Sequence, residues 1–292
     1  MHIPVLLNEV IEYLNPKPNE NFVDCTFGFG GHAATMLEKI SPNGRVLGIE
    51  WDEEKLKVQS VKCKVGERLI LVNDSYTNLK NIVEKEKFGP INGVLLDIGL
   101  SSWEIENSGR GFSFLKNEDL DMRFSEKQSL TAREIVNEWS EEDLARIFQE
   151  YGQERFAKNI ASNIVEVRQR QSIETTFQLV EIIRKSFPRS YKFGKAHFAT
   201  RAFQALRIAV NGELDNLKIV LPQALEILEK KGRIAVISFH SLEDAIVKKN
   251  FKIQAKDNNL QILTKKPVVA SEEEIRQNPR ARSAKLRVSV KL

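Results

Sequence analysis

The stretch Asp24-Cys25-Thr26-Phe27-Gly28-Phe29-Gly30-Gly31-His32 constrains this chain more than any other, because of what flanks it. Asn21-Phe22-Val23 before it reads as a strand, and Ala33-Ala34-Thr35-Met36-Leu37 after it reads as a helix. A second strand, Arg45-Val46-Leu47-Gly48-Ile49, then ends at the acidic Glu50. Strand, glycine turn, helix, strand and acid, in that order, build a nucleoside-binding crevice. Glycines let the backbone turn sharply and approach a ligand closely. A carboxylate at the next strand end can accept both hydroxyls of a ribose.

The first hundred residues alternate in the same way. Strands are expected at 21–25, 45–50, 69–73 and 91–98, with helices near 5–14, 31–40, 52–60 and 75–87. Ile91-Asn92-Gly93-Val94-Leu95-Leu96-Asp97 is almost continuously apolar and ends in a carboxylate, as a strand buried on both faces of a parallel sheet does. Right-handed crossovers then give a doubly wound α/β layer. From about 105 to 195 no strand pattern appears. Ser140-Glu141-Glu142-Asp143 opens a helix in capping-box fashion with Asp in the usual Glu position, and helical periodicity continues through Leu144, Ile147, Phe148, Ile160, Ile164 and Val167. A further helix fits 174–186, closed by Pro188. The α/β pattern resumes with helices near 196–210 and 213–230, the buried strand 232–239, a helix at 242–252 and closing strands near 260–264 and 284–291. The expected fold is a mostly parallel, Rossmann-like α/β sheet made of 1–104 and 196–292, with an all-helical insertion at 105–195.

Composition excludes several classes. The 292 residues are 41% hydrophobic and 29% charged, ordinary for a soluble globular protein. No apolar run approaches the roughly 20 residues a membrane helix needs, and the first residues lack the pattern of a secretory signal. The two cysteines, Cys25 and Cys63, have no metal-ligand spacing, so a reduced cytoplasmic protein without disulfide scaffold, zinc site or membrane partner is expected. Charge is unevenly placed. Residues 245–292 carry 12 Lys and Arg against 4 Asp and Glu, whereas the preceding 244 residues carry 32 against 36. A basic tail on a mildly acidic body suits a polyanion partner, although a solvated charged surface has the same composition.

Two cofactors compete for the glycine turn. Gly28-x-Gly30-x-x-Ala33 with Glu50 satisfies the dinucleotide fingerprint and so admits an NAD-dependent oxidoreductase. Against it stand Asp24 inside the first strand end, Asn73-Asp74-Ser75-Tyr76 at the third, suited to an adenine edge and face, and Asp97 at the fourth. Polar residues at four successive strand ends fit S-adenosyl-L-methionine better than a pyrophosphate.

The chain resembles the bacterial 16S ribosomal RNA cytosine-N4 methyltransferase family, the MraW or RsmH type, nearly from end to end. The matching stretches are His2-Ile3-Pro4-Val5-Leu6-Leu7-Asn8-Glu9, Thr26 to His32, Leu95-Leu96-Asp97-Ile98-Gly99-Leu100-Ser101-Ser102 and Arg110-Gly111-Phe112-Ser113-Phe114. They continue with Leu120-Asp121-Met122-Arg123, Tyr151 to Ala157, Thr200 to Arg207, Ser238 to Asp244 and Asn278-Pro279-Arg280-Ala281-Arg282-Ser283. The resemblance implies a cytoplasmic enzyme that takes a methyl group from S-adenosyl-L-methionine to the exocyclic N4 of a cytidine in the decoding region of 16S ribosomal RNA. The small ribosomal subunit is its implied setting, and no oligomeric state is readable. Family cofactor contacts fall on Gly30, Gly31, His32, Glu50, Tyr76 and Asp97. The next falls on Glu104, where the family pattern has Gln.

Cytosine N4 is a poor nucleophile, so the site must align it with the methyl group and accept a proton. Asp97 and His240 are the candidates for that acceptor. Asp97 can instead hold the cofactor, and a lone His after a buried strand is more often a structural hydrogen-bonding group. Trp103, Phe112 and Phe114 can stack on an extruded cytosine or pack the insertion. Arg280, Arg282, Lys285 and Arg287 can bind phosphates, or Arg282 and Arg287 can belong to ordinary salt bridges on an edge strand, with Lys285 and Arg287 on one face of that expected strand. A non-catalytic RNA-binding assembly factor that keeps a nucleoside pocket is the third class.

Overall fold

Strand Phe22–Asp24 (β1) is buried at every residue, and Val46–Glu50 (β2) pairs with it in parallel. In the computed structural model, which describes residues 3–62, 66–188, 190–191, 194 and 197–292, these strands sit inside a seven-stranded sheet. His2, Cys63 and the expected domain boundary at 195–196 lie outside the described residues.

In chain order the first half contains helices Leu7–Leu14 (α1), Gly31–Lys39 (α2), Glu53–Lys62 (α3) and Leu79–Lys85 (α4), with strands Leu69–Asn73 (β3) and Ile91–Asp97 (β4). The helical segment follows: Ser102–Glu106 (α5), Ala132–Glu138 (α6), Glu141–Glu150 (α7), Ala157–Arg168 (α8), Thr176–Lys185 (α9) and Thr200–Asn211 (α10). The chain then returns through Glu213–Ile227 (α11), Leu228–Ser238 (β5), Ser241–Lys256 (α12), Leu260–Ile262 (β6), Glu272–Gln277 (α13) and Lys285–Lys291 (β7). Strand order is β3-β2-β1-β4-β5-β7-β6, with β7 antiparallel to both of its neighbours. The expected doubly wound sheet is therefore present, and its order reverses between β1 and β4, where such folds open a crevice. None of the described helices is long and apolar enough to cross a membrane.

Two details differ from expectation. Helix α11 stops at Ile227 and β5 begins at Leu228, so residues 228–230 are strand. The Leu228 end pairs with Ile91, which a local helical pattern does not foresee. In addition β7 is not the edge strand: β6 pairs with its 289–291 end and Val268 bridges Leu286, so Lys285 and Arg287 do not lie on a free edge.

The chain divides into two compact units, 1–99 with 214–292 and 100–213. Helix α10 belongs to the second of them. Its Ala202, Phe203, Ala205 and Leu206 are buried with Leu144, Ile147, Phe148, Ile160 and Ile183 in the core of the helical unit. Sequence periodicity shows that α10 has an apolar face but not which layer that face meets. Within this unit Thr131 with Glu134 and Thr175 with Gln178 form complete capping boxes at α6 and α9. At α7 the reciprocal half is missing. Ser140 Oγ accepts from Asp143 N at 3.1 Å, but the shorter Asp143 carboxylate accepts from the Ser140 hydroxyl instead of its backbone N–H.

Candidate active site

The carboxyl ends of β1, β2 and β4 bring three acids to one rim of the α/β unit, because parallel strands all end on the same edge of a sheet. Asp24 ends β1 and is 1% exposed. Its Oδ1 accepts from Thr26 N at 3.1 Å. Burial pushes its carboxyl up to about 7; the Thr26 N–H opposes that shift and the Glu50 charge adds to it. Asp97 ends β4 and is likewise raised to about 7, by burial first and then by the Asp24 charge. A hydrogen bond from the Gly99 backbone opposes the shift, and Glu243 adds to it. Asp97 Oδ1 is buried with no hydrogen-bond partner. Next to them burial drives the Cys25 thiol well above its ordinary value, which leaves it an inert core residue.

The glycine turn is held from three sides. Thr26 Oγ1 accepts from Asp97 N at 2.6 Å, tying the turn to β4. Glu50 Oε2 accepts from Gly28 N at 3.0 Å and its Oε1 from Asp52 N at 2.9 Å, with Lys55 Nζ at 3.5 Å. Glu50 is thus an oriented, ion-paired carboxylate before any ligand arrives. Gly30 has φ of +70°, and a Cβ there would stand 2.6 Å from Phe27 Cζ, so only glycine fits. Helix α2 starts at the next residue and presents its first N–H groups to the same rim. His32 Nε2 lies 3.0 Å from the Val5 carbonyl, which makes Nε2 the protonated nitrogen. Its Nδ1 then faces Asp97 Oδ2 at 3.9 Å. Tyr76 stands after β3, partly buried on the apolar layer beneath it.

His240 is built differently. It is the N-cap of α12, its Nδ1 accepting from Glu243 N at 3.5 Å, while Glu243 Oε2 accepts from Phe239 N at 2.8 Å and His240 N at 3.1 Å. The ring closes a capping box, a helix-starting role.

The remaining candidates belong to the helical unit or the tail. Glu104 lies on α5, 3% exposed, and accepts from the Ser101 hydroxyl. Trp103, its neighbour, is partly buried. Phe112 is stacked on Phe124 with centroids 5.5 Å apart, and Phe114 on His197 at 4.5 Å. Both rings are committed to packing, the second of the two readings the sequence allows. Arg110 donates to the carbonyls of Arg123 and Phe124 at 2.9 and 3.1 Å, so this matched motif braces a loop. In the tail Arg282 is exposed, but Arg287 is 6% exposed and pairs with both oxygens of Asp244 at 2.6 and 3.1 Å. Lys285 is 3.9 Å from the same carboxylate. The two do share a strand face as expected, but that face meets α12. Arg287 is a buried ion-pair partner and not a phosphate ligand.

Sequence reasoning missed Thr26, Lys55 and the Val5 carbonyl. Only Lys55 left a signal, five residues after the acid at the start of a helix. Thr26 meets Asp97 on β4 and Val5 meets His32 on α2, contacts between residues far apart in the chain that have no local signature.

Three acids at one rim, Asp24 and Glu50 buried and Asp97 with its side chain 20% exposed but one oxygen buried and unpartnered, suit a cation and repel a pyrophosphate. The oriented Glu50 suits a ribose diol. The sequence model of the MraW methylase family matches residues 1–292. The ribosomal RNA small subunit methyltransferase H of Symbiobacterium thermophilum is 44% identical over 307 residues, covering 100% of this chain and 96% of that protein. The protein of the same name from Heliobacterium modesticaldum is 45% identical over 308 residues, covering 100% and 98%. A solved structure of an rRNA methylase from Clostridium thermocellum covers 100% of both chains at 15% identity and a TM-score of 0.46.

Proposed function

We propose a reaction for this site from one premise: the chain belongs to the MraW methylase family. It is an S-adenosylmethionine-dependent methyltransferase of small-subunit ribosomal RNA, acting on the exocyclic N4 of a cytidine in the decoding region of 16S rRNA. The observation that carries the cofactor assignment is the acid cluster Asp24, Glu50 and Asp97 at neighbouring strand ends. When bound, S-adenosylmethionine supplies a methyl group made electrophilic by its sulfonium charge. An NAD pyrophosphate would set two negative charges against the same carboxyls.

In this reading Glu50 receives the ribose hydroxyls, Tyr76 the adenine, and Gly30, Gly31 and His32 the amino-acid end. Asp24 and Asp97 compensate positive charge, a favourable use of carboxyls that are costly to ionise without it. Asp97 is the better placed of the two proton-acceptor candidates: its Oδ1 is buried and uncommitted, whereas His240 Nδ1 caps a helix and its Nε2, likewise without a hydrogen bond, faces the Glu243 carboxylate at 3.1 Å, which favours a protonated Nε2. Glu104, where the family pattern has Gln, serves the cofactor, and the helical unit serves substrate recognition. The substrate is presented within the small ribosomal subunit in the cytoplasm.

Calorimetric titration with S-adenosylmethionine and with NAD, followed by methyl transfer to under-modified small subunits, tests the reading. Binding of the first ligand alone, and a methyl group on cytidine N4, is the expected result. Tight NAD binding would overturn the cofactor assignment. Cofactor binding without transfer would leave an assembly factor.

A further inference from the structure

Helix α12 buries Val247 and Phe251 and exposes Lys248, Lys249, Lys252 and Lys256. Several bases on other helices are held by an acid one turn away, although, among the described residues, Lys39, Lys85 and Lys158 stand singly on theirs. Lys57 pairs with Glu53 at 2.8 Å, Arg146 with Asp143 at 2.7 Å, Arg170 with Glu166 at 2.9 Å, Arg184 with Glu181 at 2.9 Å and Lys218 with Asp215 at 2.7 Å. Among the described residues the α12 lysines have no such partner.

The sequence offers them one. Asp244 stands four residues before Lys248, the favourable order for a helical pair. The fold spends it elsewhere, on Arg287 at 2.6 Å and 3.1 Å. Glu243, the other acid of that turn, is 2% exposed and accepts from two backbone N–H groups. Beyond the helix only Asp257 follows. Lys248, Lys252 and Lys256 are successive i, i+4 neighbours, and like charges so placed destabilise a helix. The helix dipole rewards Lys256 in the last turn, but not Lys248 or Lys249. Ile253, 48% exposed, adds apolar surface among them.

We propose that this lysine face of α12 is a docking surface for the phosphate backbone of the ribosomal RNA substrate, separate from the Pro279–Ser283 turn. Side chains at i and i+4 lie about 5–6 Å apart at Cβ, and flexible lysines on that spacing can follow consecutive phosphates. The inference rests on the rRNA reading above and adds where the RNA backbone lies. Charge complementarity selects the occupant: four uncompensated ammonium groups call for a polyanion.

The test uses the full chain with Lys248→Gln, Lys252→Gln and Lys256→Gln combined, because Gln keeps a similar helix propensity. Affinity for under-modified small subunits is measured at several salt concentrations. The expected result is weaker binding and a log–log salt slope flatter by about two to three, with cofactor affinity unchanged. A second variant, Lys252→Glu, gives Lys248 and Lys256 an acidic partner. It should raise Tm while weakening subunit binding, a pair of opposite signs that a purely structural lysine face does not produce. An unaltered affinity and slope in the folded triple variant would overturn the inference. So would lysine-dependent binding to phosphatidylserine vesicles with subunit binding intact. Failure of the wild type to bind subunits at all would instead remove the rRNA reading, and this surface with it.

Discussion

Replacing Asp24 by Asn should change stability in a way that depends on pH. The folded carboxyl is raised from 3.8 to about 7. The folded protein therefore keeps a proton that the unfolded chain gives up near pH 4, and the ionisation penalty on the folded state grows as pH rises through that window. At 1.36 kcal/mol per pKa unit, the penalty is about 2 kcal/mol at pH 5 and about 4 kcal/mol at pH 8.5. Asn keeps the oxygen that accepts the Thr26 N–H. It also brings a buried amide N–H₂ in need of partners, at a cost of about 1–3 kcal/mol. The cofactor-free variant should match wild type near pH 5 and exceed it by about 1–3 kcal/mol at pH 8.5. Urea unfolding at the two pH values measures this directly. The Asp97 carboxyl, freed of the Asp24 charge that helps to raise it, should titrate lower, which NMR of labelled aspartate reads. A stability difference of equal size at both pH values, or a wild type more stable at pH 8.5, would refute the electrostatic account of this crevice.

Three further outcomes follow from the geometry. Glu50→Ala should weaken S-adenosylmethionine binding by about 1.5–3 kcal/mol by calorimetry, because charge-assisted bonds to the ribose vanish; a thermal melt accounts for the acceptor lost by Gly28 and Asp52. Arg287→Ala should destabilise the fold by about 1–3 kcal/mol in urea, because Asp244 loses its two short hydrogen bonds and keeps only Lys285 at 3.9 Å. Replacing residues 100–213 with a short linker should spare cofactor affinity in a folded remainder and abolish methyl transfer; transfer that survives would remove the helical unit from substrate recognition.

Local sequence determined the elements whose causes are local. The buried run of β4 reads as a two-faced parallel strand from its composition alone. The glycine turn after β1 announces itself because a backbone with positive φ at Gly30 needs that residue. The order of strand, turn, helix and acid likewise marked the rim where Asp24, Glu50 and Asp97 meet. What those residues do once assembled was not legible. Periodicity showed an apolar face on α10 without showing that it meets α6 and α7. Alternation put Lys285 and Arg287 on one face of β7 without showing that Asp244 lies against it. Phe112 and Phe114 look like stacking platforms in sequence, and only Phe124 and His197, brought in from elsewhere in the chain, show them to be packed. The charge of a carboxyl is the clearest case. Asp24 and Asp97 are 73 positions apart in sequence and carry ordinary acid side chains. Burial and the register of β1 against β4 bring their charges within range of each other and remove the water that would screen them. Pairing and dielectric are properties of the assembled interior, so they were decided only when the sheet closed.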